Sequence, residues 1–262
     1  MKNTKLLTFG ALIGSALSLT AAPVVLNEDN FTAISGKASS GNTITITSDL
    51  NLADSGTSGL STTNEYILEA ITIVQPGVTL TFPAGAVVRG QPGENLVFND
   101  DGSLASGTAA GTLLVSRGGA LVANGTSTDP VIFTTAMDSN RGRYADGDTF
   151  LDANPTTAPL ASVTIGTGSS SNPQFENNSL WGAVTLLGYA PTNRGATNTG
   201  VTGEAFIEGF GGTSEPYTYG GHLPNDSSGS LSYVSIRHSG LTIVEGDEQQ
   251  GLTLGGVGSG TT

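Results

Sequence analysis

Four aspartates and two arginines crowd one stretch of the chain: Asp138, Asp146, Asp148 and Asp152, with Arg141 and Arg143 among them. Carboxylate oxygens at short, irregular spacing suit Ca²⁺, which accepts about six to eight oxygen ligands in flexible geometry. The run departs from the EF-hand pattern, which needs ligands at alternate positions, a glycine and a distal Glu. The residues therefore suggest either a Ca²⁺ site or a solvated acidic loop, with Arg141 and Arg143 as ligand contacts. Glu245-Gly246-Asp247-Glu248 is a weaker version of the same arrangement.

Tyr217, Tyr219 and Tyr233 form a second candidate patch, because an aromatic ring offers a ligand an apolar face and a polar tip. Trp181 reads as a core or corner residue. His222 lies among Gly, Pro and Asn and reads as an exposed loop residue, whereas His238 continues the period-two series Val234, Ile236 and ends a strand. Hydrolysis of a glycosidic bond needs two carboxyl groups about 5–10 Å apart, and no pair of strand positions here obliges that meeting. No nucleophilic serine elbow, phosphate loop or dinucleotide fingerprint occurs. The chain has no Cys, which removes thiol chemistry, disulfides and Cys-ligated zinc.

What positions these residues is a turn-dense, all-β chain. It has 38 Gly among 262 residues, about twice the roughly 7% share of average proteins, and helical periodicity is missing beyond the first two dozen residues. Ile71-Thr72-Ile73-Val74, Val78-Thr79-Leu80-Thr81-Phe82 and Ala86-Val87-Val88-Arg89 are short strands separated by Gln75-Pro76-Gly77 and Pro83-Ala84-Gly85. Val78, Leu80 and Phe82 share one face and Thr79 and Thr81 the other. The phrase returns at Gly111–Val115, Ala120–Ala123 and Val131–Thr135. Trp181 to Leu187 and Leu231 to Arg237 read as single strands of later coils with enlarged connections. Quasi-repetition of this kind fits a solenoid of parallel strands with an aliphatic bore and outward threonines in water. The long stretches 137–179 and 190–230 are where binding is sought first, and Thr43-Ile44-Thr45-Ile46-Thr47 lies in a segment suited to capping the column.

Residues 1–22 carry Lys2 and Lys5, the apolar run Leu6 to Leu19 and Thr20-Ala21-Ala22, the order of a secretory signal peptide. The expected organisation is a leader at 1–22, an N-terminal segment or cap at 23–66 and a solenoid at 67–262. The formal charge is −13, from 9 basic and 22 acidic residues. With no basic cluster, a nucleic-acid partner is excluded, because such binding displaces counterions with positive charge. The apolar run is shorter than the about 20 residues of a spanning helix, so no transmembrane anchor is expected. Gly251 to Thr262 opens another strand phrase and stops, which raises the expectation of a fragment.

Several phrases carry a resemblance: Gly77-Val78-Thr79-Leu80, Gly119 to Thr126 with Pro130-Val131-Ile132-Phe133-Thr134, Trp181-Gly182, Tyr219-Gly220-Gly221, Leu231 to Arg237 and Gly251-Leu252-Thr253-Leu254. Together they resemble exported bacterial proteins with a right-handed parallel β-helix, the fold of pectate lyases, whose members often carry a C-terminal sorting or anchoring segment. The resemblance implies a secreted or cell-surface protein, structural, adhesive or glycan-binding, with polysaccharide or matrix partners. It leaves as the alternative a Ca²⁺-dependent polysaccharide lyase or a glycoside hydrolase. In lyases of this fold, acidic residues hold Ca²⁺ against a uronate and an Arg commonly abstracts the proton. The paired Asp, Gly-His-Gly and Arg-x-Lys set of polygalacturonases does not occur, and Gly220-Gly221-His222 only echoes it.

Overall fold

The computed structural model describes residues 23–35, 43–52, 64–92, 94–98, 104–108, 110–136, 138, 149–150, 163–164, 180–194, 199–210, 213–244 and 247–262. Each strand-and-corner phrase makes one turn that visits three sheets in order. Glu65–Leu68, Ile71–Val74 and Thr79–Phe82 make one such turn, and Val87–Gly90, Thr112–Val115 and Ala120–Asn124 make the next. Val131–Thr135, Val184–Leu187 and Gly229–Ser232 follow, then Val234–Ile236 and Leu252–Gly255. We name the sheets A, B and C in the order a turn meets them. Val24–Val25, Thr43–Ile46 and Leu50–Asn51 supply a first rung to each.

Every pairing between turns is parallel. Tyr66, Val88, Phe133 and Ile236 align in sheet A; Ile44, Thr72, Leu113, Val184 and Leu252 in sheet B; Leu50, Leu80 and Leu121 in sheet C. Because side chains alternate along a strand, this register stacks like positions into the bore of a parallel β-helix. Val78, Leu80 and Phe82 are inside it, and the strand around Val131 runs parallel to both neighbours. Tyr66, Phe82 and Phe133 form an aromatic column with edge-on contacts of 5.6 and 5.7 Å between centroids. Burying a ring such as Phe82 contributes about 1.5–3 kcal/mol.

The ends of the column differ. Ile34–Ser35 runs antiparallel to Thr43–Ile46 and edges sheet B at the N-terminal side. At the other side Leu252 and Leu254 occupy inward register positions yet are exposed. Thr262 already pairs through its backbone with Gly229 and Leu231.

Two expectations change. Outward side chains meet water on sheet C, where exposed Asn124 donates through Nδ2 to half-buried Ser230 Oγ at 2.8 Å. On sheet A, however, outward Val87, Arg89, Ile132 and Thr134 are buried, and on sheet B so are Ile73, Leu114 and Leu187. Both faces of those strands carry apolar residues, which is how a doubly covered strand reads. The run Leu231 to Arg237 is two strands in two sheets, not one. The chain turns at Tyr233, whose φ is 47°, and passes from sheet C to sheet A in a single residue.

Trp181 is wholly buried where the chain returns to sheet B, and its indole Nε1 donates to the Arg237 carbonyl at 2.6 Å. The ring lies so close to Gly90 that a Cβ there would sit 2.5 Å from Trp181 Cε3.

Candidate functional site

The insertion between Leu187 of sheet B and Gly229 of sheet C folds back over sheet B. Its strands Glu204–Phe206 and Thr218–Gly220 pair antiparallel. Ile207, Phe210, Tyr217 and Tyr219 from this arm pack on Ile73, Leu114 and Leu187. Phe210 and Tyr217 stack with centroids 5.8 Å apart, and burial raises the Tyr217 phenol above its ordinary pKa. Tyr219 can approach the sheet closely because residue 255 is glycine: a Cβ there would stand 2.9 Å from Tyr219 Cγ.

One cation joins arm and column. Arg117 Nη1 donates to the Gly220 carbonyl at 2.8 Å and lies 2.9 Å from Glu204 Oε1; Nη2 pairs with Glu215. The guanidinium sits 4.9 Å from the centre of the Tyr189 ring, within reach of a cation–π contact. Burial by itself would lower the Arg117 pKa, but hydrogen bonds and charge from Glu215 and Glu204 outweigh it and hold the group above its usual value.

Between arm and sheet B lies a cleft of about 170 Å³. Its floor is Thr185 and Thr253, neighbours across two parallel strands. Phe206, Ile207 and Tyr219 supply apolar wall, and Arg194, Glu208 and Gln250 are at the exposed rim. Arg194 Nε donates to Tyr219 Oη at 3.2 Å, and that bond leads the causes raising the Arg194 pKa. Buried Gln249 is fixed by donation to the Gly209 carbonyl at 2.8 Å and by accepting from Thr112 Oγ1 at 3.2 Å. Ring face, amides, hydroxyls and one charge of each sign are thus collected between the arm and sheet B, a lining suited to a polar ligand with an apolar face.

Of the residues singled out in the sequence, Tyr217 and Tyr219 come together in the arm, with Tyr219 lining the cleft. Tyr233 is 62% exposed at the corner between sheets C and A, away from the face that carries the cleft. Asp138 is buried: its Oδ2 accepts from Thr134 Oγ1 at 3.0 Å and its carbonyl accepts from Arg89. Asp146, Asp148, Asp152, Arg141 and Arg143 lie outside the described residues. Among the described residues, no three His, Asp or Glu side chains converge as a metal site would require. His222 is exposed, and His238 leaves its strand at φ 57° with its carbonyl accepting from Leu180.

Sequence reasoning missed Arg117, Arg194, Thr185, Gln249 and Thr253. The available signal was the adjacent apolar pairs Leu113-Leu114 and Leu186-Leu187, which break alternation and announce cover on both sides.

Comparison with known proteins agrees with this architecture. The model of the pectate-lyase-like beta helix domain matches residues 52–147 and 163–262. No curated protein and no solved structure matches the chain. With three sheets of parallel rungs and a match over most of its length, the chain belongs to the pectate-lyase-like beta helix domain family.

Proposed function

We propose that this chain is a secreted or cell-surface β-helical scaffold that holds glycans without cleaving them, using the cleft between the arm and sheet B. The observation that carries the reading is the placing of Tyr219 and Arg194 over the Thr185–Thr253 floor. A flat aromatic ring, a fixed hydrogen-bond donor and neighbouring hydroxyls are the groups that recognise a sugar ring. The secretory order of residues 1–22 supports export, and N-terminal sequencing of the exported chain at Ala22 or Pro23 tests it.

A glycan array read alongside a reducing-end assay, with and without Ca²⁺, tests the reading. Binding without release of new reducing ends is the expected result. Cleavage abolished by Asp146→Asn together with Arg143→Ala would replace it with the lyase or hydrolase reading. Failure to bind any glycan overturns the cleft's assignment altogether.

A further inference from the structure

We infer that the cleft takes a neutral sugar ring bearing free hydroxyls, not an acidic one; this rests on the reading that the cleft holds a glycan. The first ground is charge. Arg194 and Glu208 stand at the same rim, and their formal charges cancel. The surrounding chain carries 22 acidic against 9 basic residues, so a uronate or sulfated chain approaches against the field of the protein. Within the cleft it would meet the Glu208 carboxylate as well.

The second ground is hydrogen-bond chemistry. Among the described residues Arg194 makes no ion pair, and its Nε is already engaged by Tyr219, which leaves its terminal nitrogens as donors. An ionised Glu208 can only accept. A sugar hydroxyl both donates and accepts, so neighbouring hydroxyls satisfy the arginine and the glutamate together. A carboxylate satisfies only the arginine and leaves Glu208 facing a like charge.

The third ground is size and shape. The volume of about 170 Å³ is below the roughly 300–1,000 Å³ of pockets that enclose drug-sized ligands, so the cleft takes one ring. An adjoining hollow of about 360 Å³, which shares Arg194, Ile207, Tyr219 and Thr253 with it, has room for the next ring of an oligosaccharide. The apolar face of a neutral pyranose matches the wall made by Tyr219 and Ile207.

The test is titration calorimetry of the chain with neutral cello-, manno-, xylo- and galacto-trisaccharides and with trigalacturonate, each at low and high salt. At least one neutral trisaccharide should bind, with affinity changing less than about twofold with salt, since screening acts on net charge. Arg194→Ala and Glu208→Gln should each weaken it about tenfold or more, the scale of a lost hydrogen bond to a charged group. Arg194→Lys should weaken it too, because the planar fork is lost while the charge stays. Circular dichroism confirms that each variant remains folded. Trigalacturonate binding more tightly than every neutral sugar, with affinity falling in salt or rising on Glu208→Gln, overturns this inference and leaves the glycan reading intact. Neutral-sugar binding untouched by all three substitutions overturns the placement in the cleft. No binding by any sugar removes both.

Discussion

Arg117 Nη1 stands 2.9 Å from Glu204 Oε1, tying a corner of the column to a strand of the arm that covers sheet B. Glu215 and the Gly220 carbonyl complete the grip. Together with the packing of Ile207, Phe210, Tyr217 and Tyr219 on Ile73, Leu114 and Leu187, the pairing holds the arm that walls the cleft. Its geometry is long-range: residue 117 is met by residues 204, 215 and 220, and no local pattern announces it.

Replacing Arg117 with Met should loosen the arm. Removing one partner of a buried pair costs about 3–5 kcal/mol, and the lower end applies because Glu215 is half exposed. Amide hydrogen exchange should rise across 199–221 while the strands around Leu80 and Leu121 stay protected. Equal loosening of arm and bore would show that Arg117 supports the whole column instead.

Gly255→Ala should weaken ligand binding more than it weakens the fold. The added methyl would meet Tyr219 Cγ at 2.9 Å and Leu187 Cδ2 at 3.0 Å, so the ring must tilt away from the cleft floor. Calorimetry should show at least about a tenfold loss of affinity, equivalent to about 1.4 kcal/mol. Unchanged affinity would mean that the Tyr219 ring does not contact the ligand.

Phe82→Ala should cost about 3–5 kcal/mol, the range for emptying a buried aromatic site, because Phe82 touches both Tyr66 and Phe133. Urea denaturation followed by far-ultraviolet circular dichroism measures it. A cost below about 1 kcal/mol, ordinary for surface substitutions, would contradict the aromatic column.

High pH offers a further check. Burial raises the pKa of Tyr66 and Tyr217 above the ordinary 10.0, so the folded chain keeps these protons to higher pH than the unfolded chain does. Their contribution to stability is complete below pH 10.0 and is lost as pH rises through the elevated folded values. The urea midpoint should fall above about pH 10, and Tyr66→Phe with Tyr217→Phe should flatten that fall. An equally steep fall in the double variant would assign the effect to other groups.

The column was legible because its signal is local. Val78, Leu80 and Phe82 alternate with Thr79 and Thr81, and Pro-Gly corners separate the strands; the register then follows from repeating the phrase. The single-residue turn at Tyr233 was missed although the sequence marks it: the apolar positions slip from odd at Leu231 to even at Val234 and Ile236, and the slip falls at Tyr233, whose φ is 47°. The cleft was illegible for a different reason. Thr185, Arg194, Tyr219 and Thr253 are drawn from separate turns and from the arm, and what joins them is packing across the solenoid, which leaves no spacing to read. Tyr217 and Tyr219 stood out by residue type alone.

Backbone amide shifts of the isotope-labelled chain, followed while a bound neutral trisaccharide is titrated in, locate the sugar on the molecule directly. The prediction is a contiguous set of moving resonances at Arg194, Ile207, Tyr219, Thr253 and Gly255. Shifts confined to sheet C or to the Tyr233 corner, with those five residues still, would contradict it.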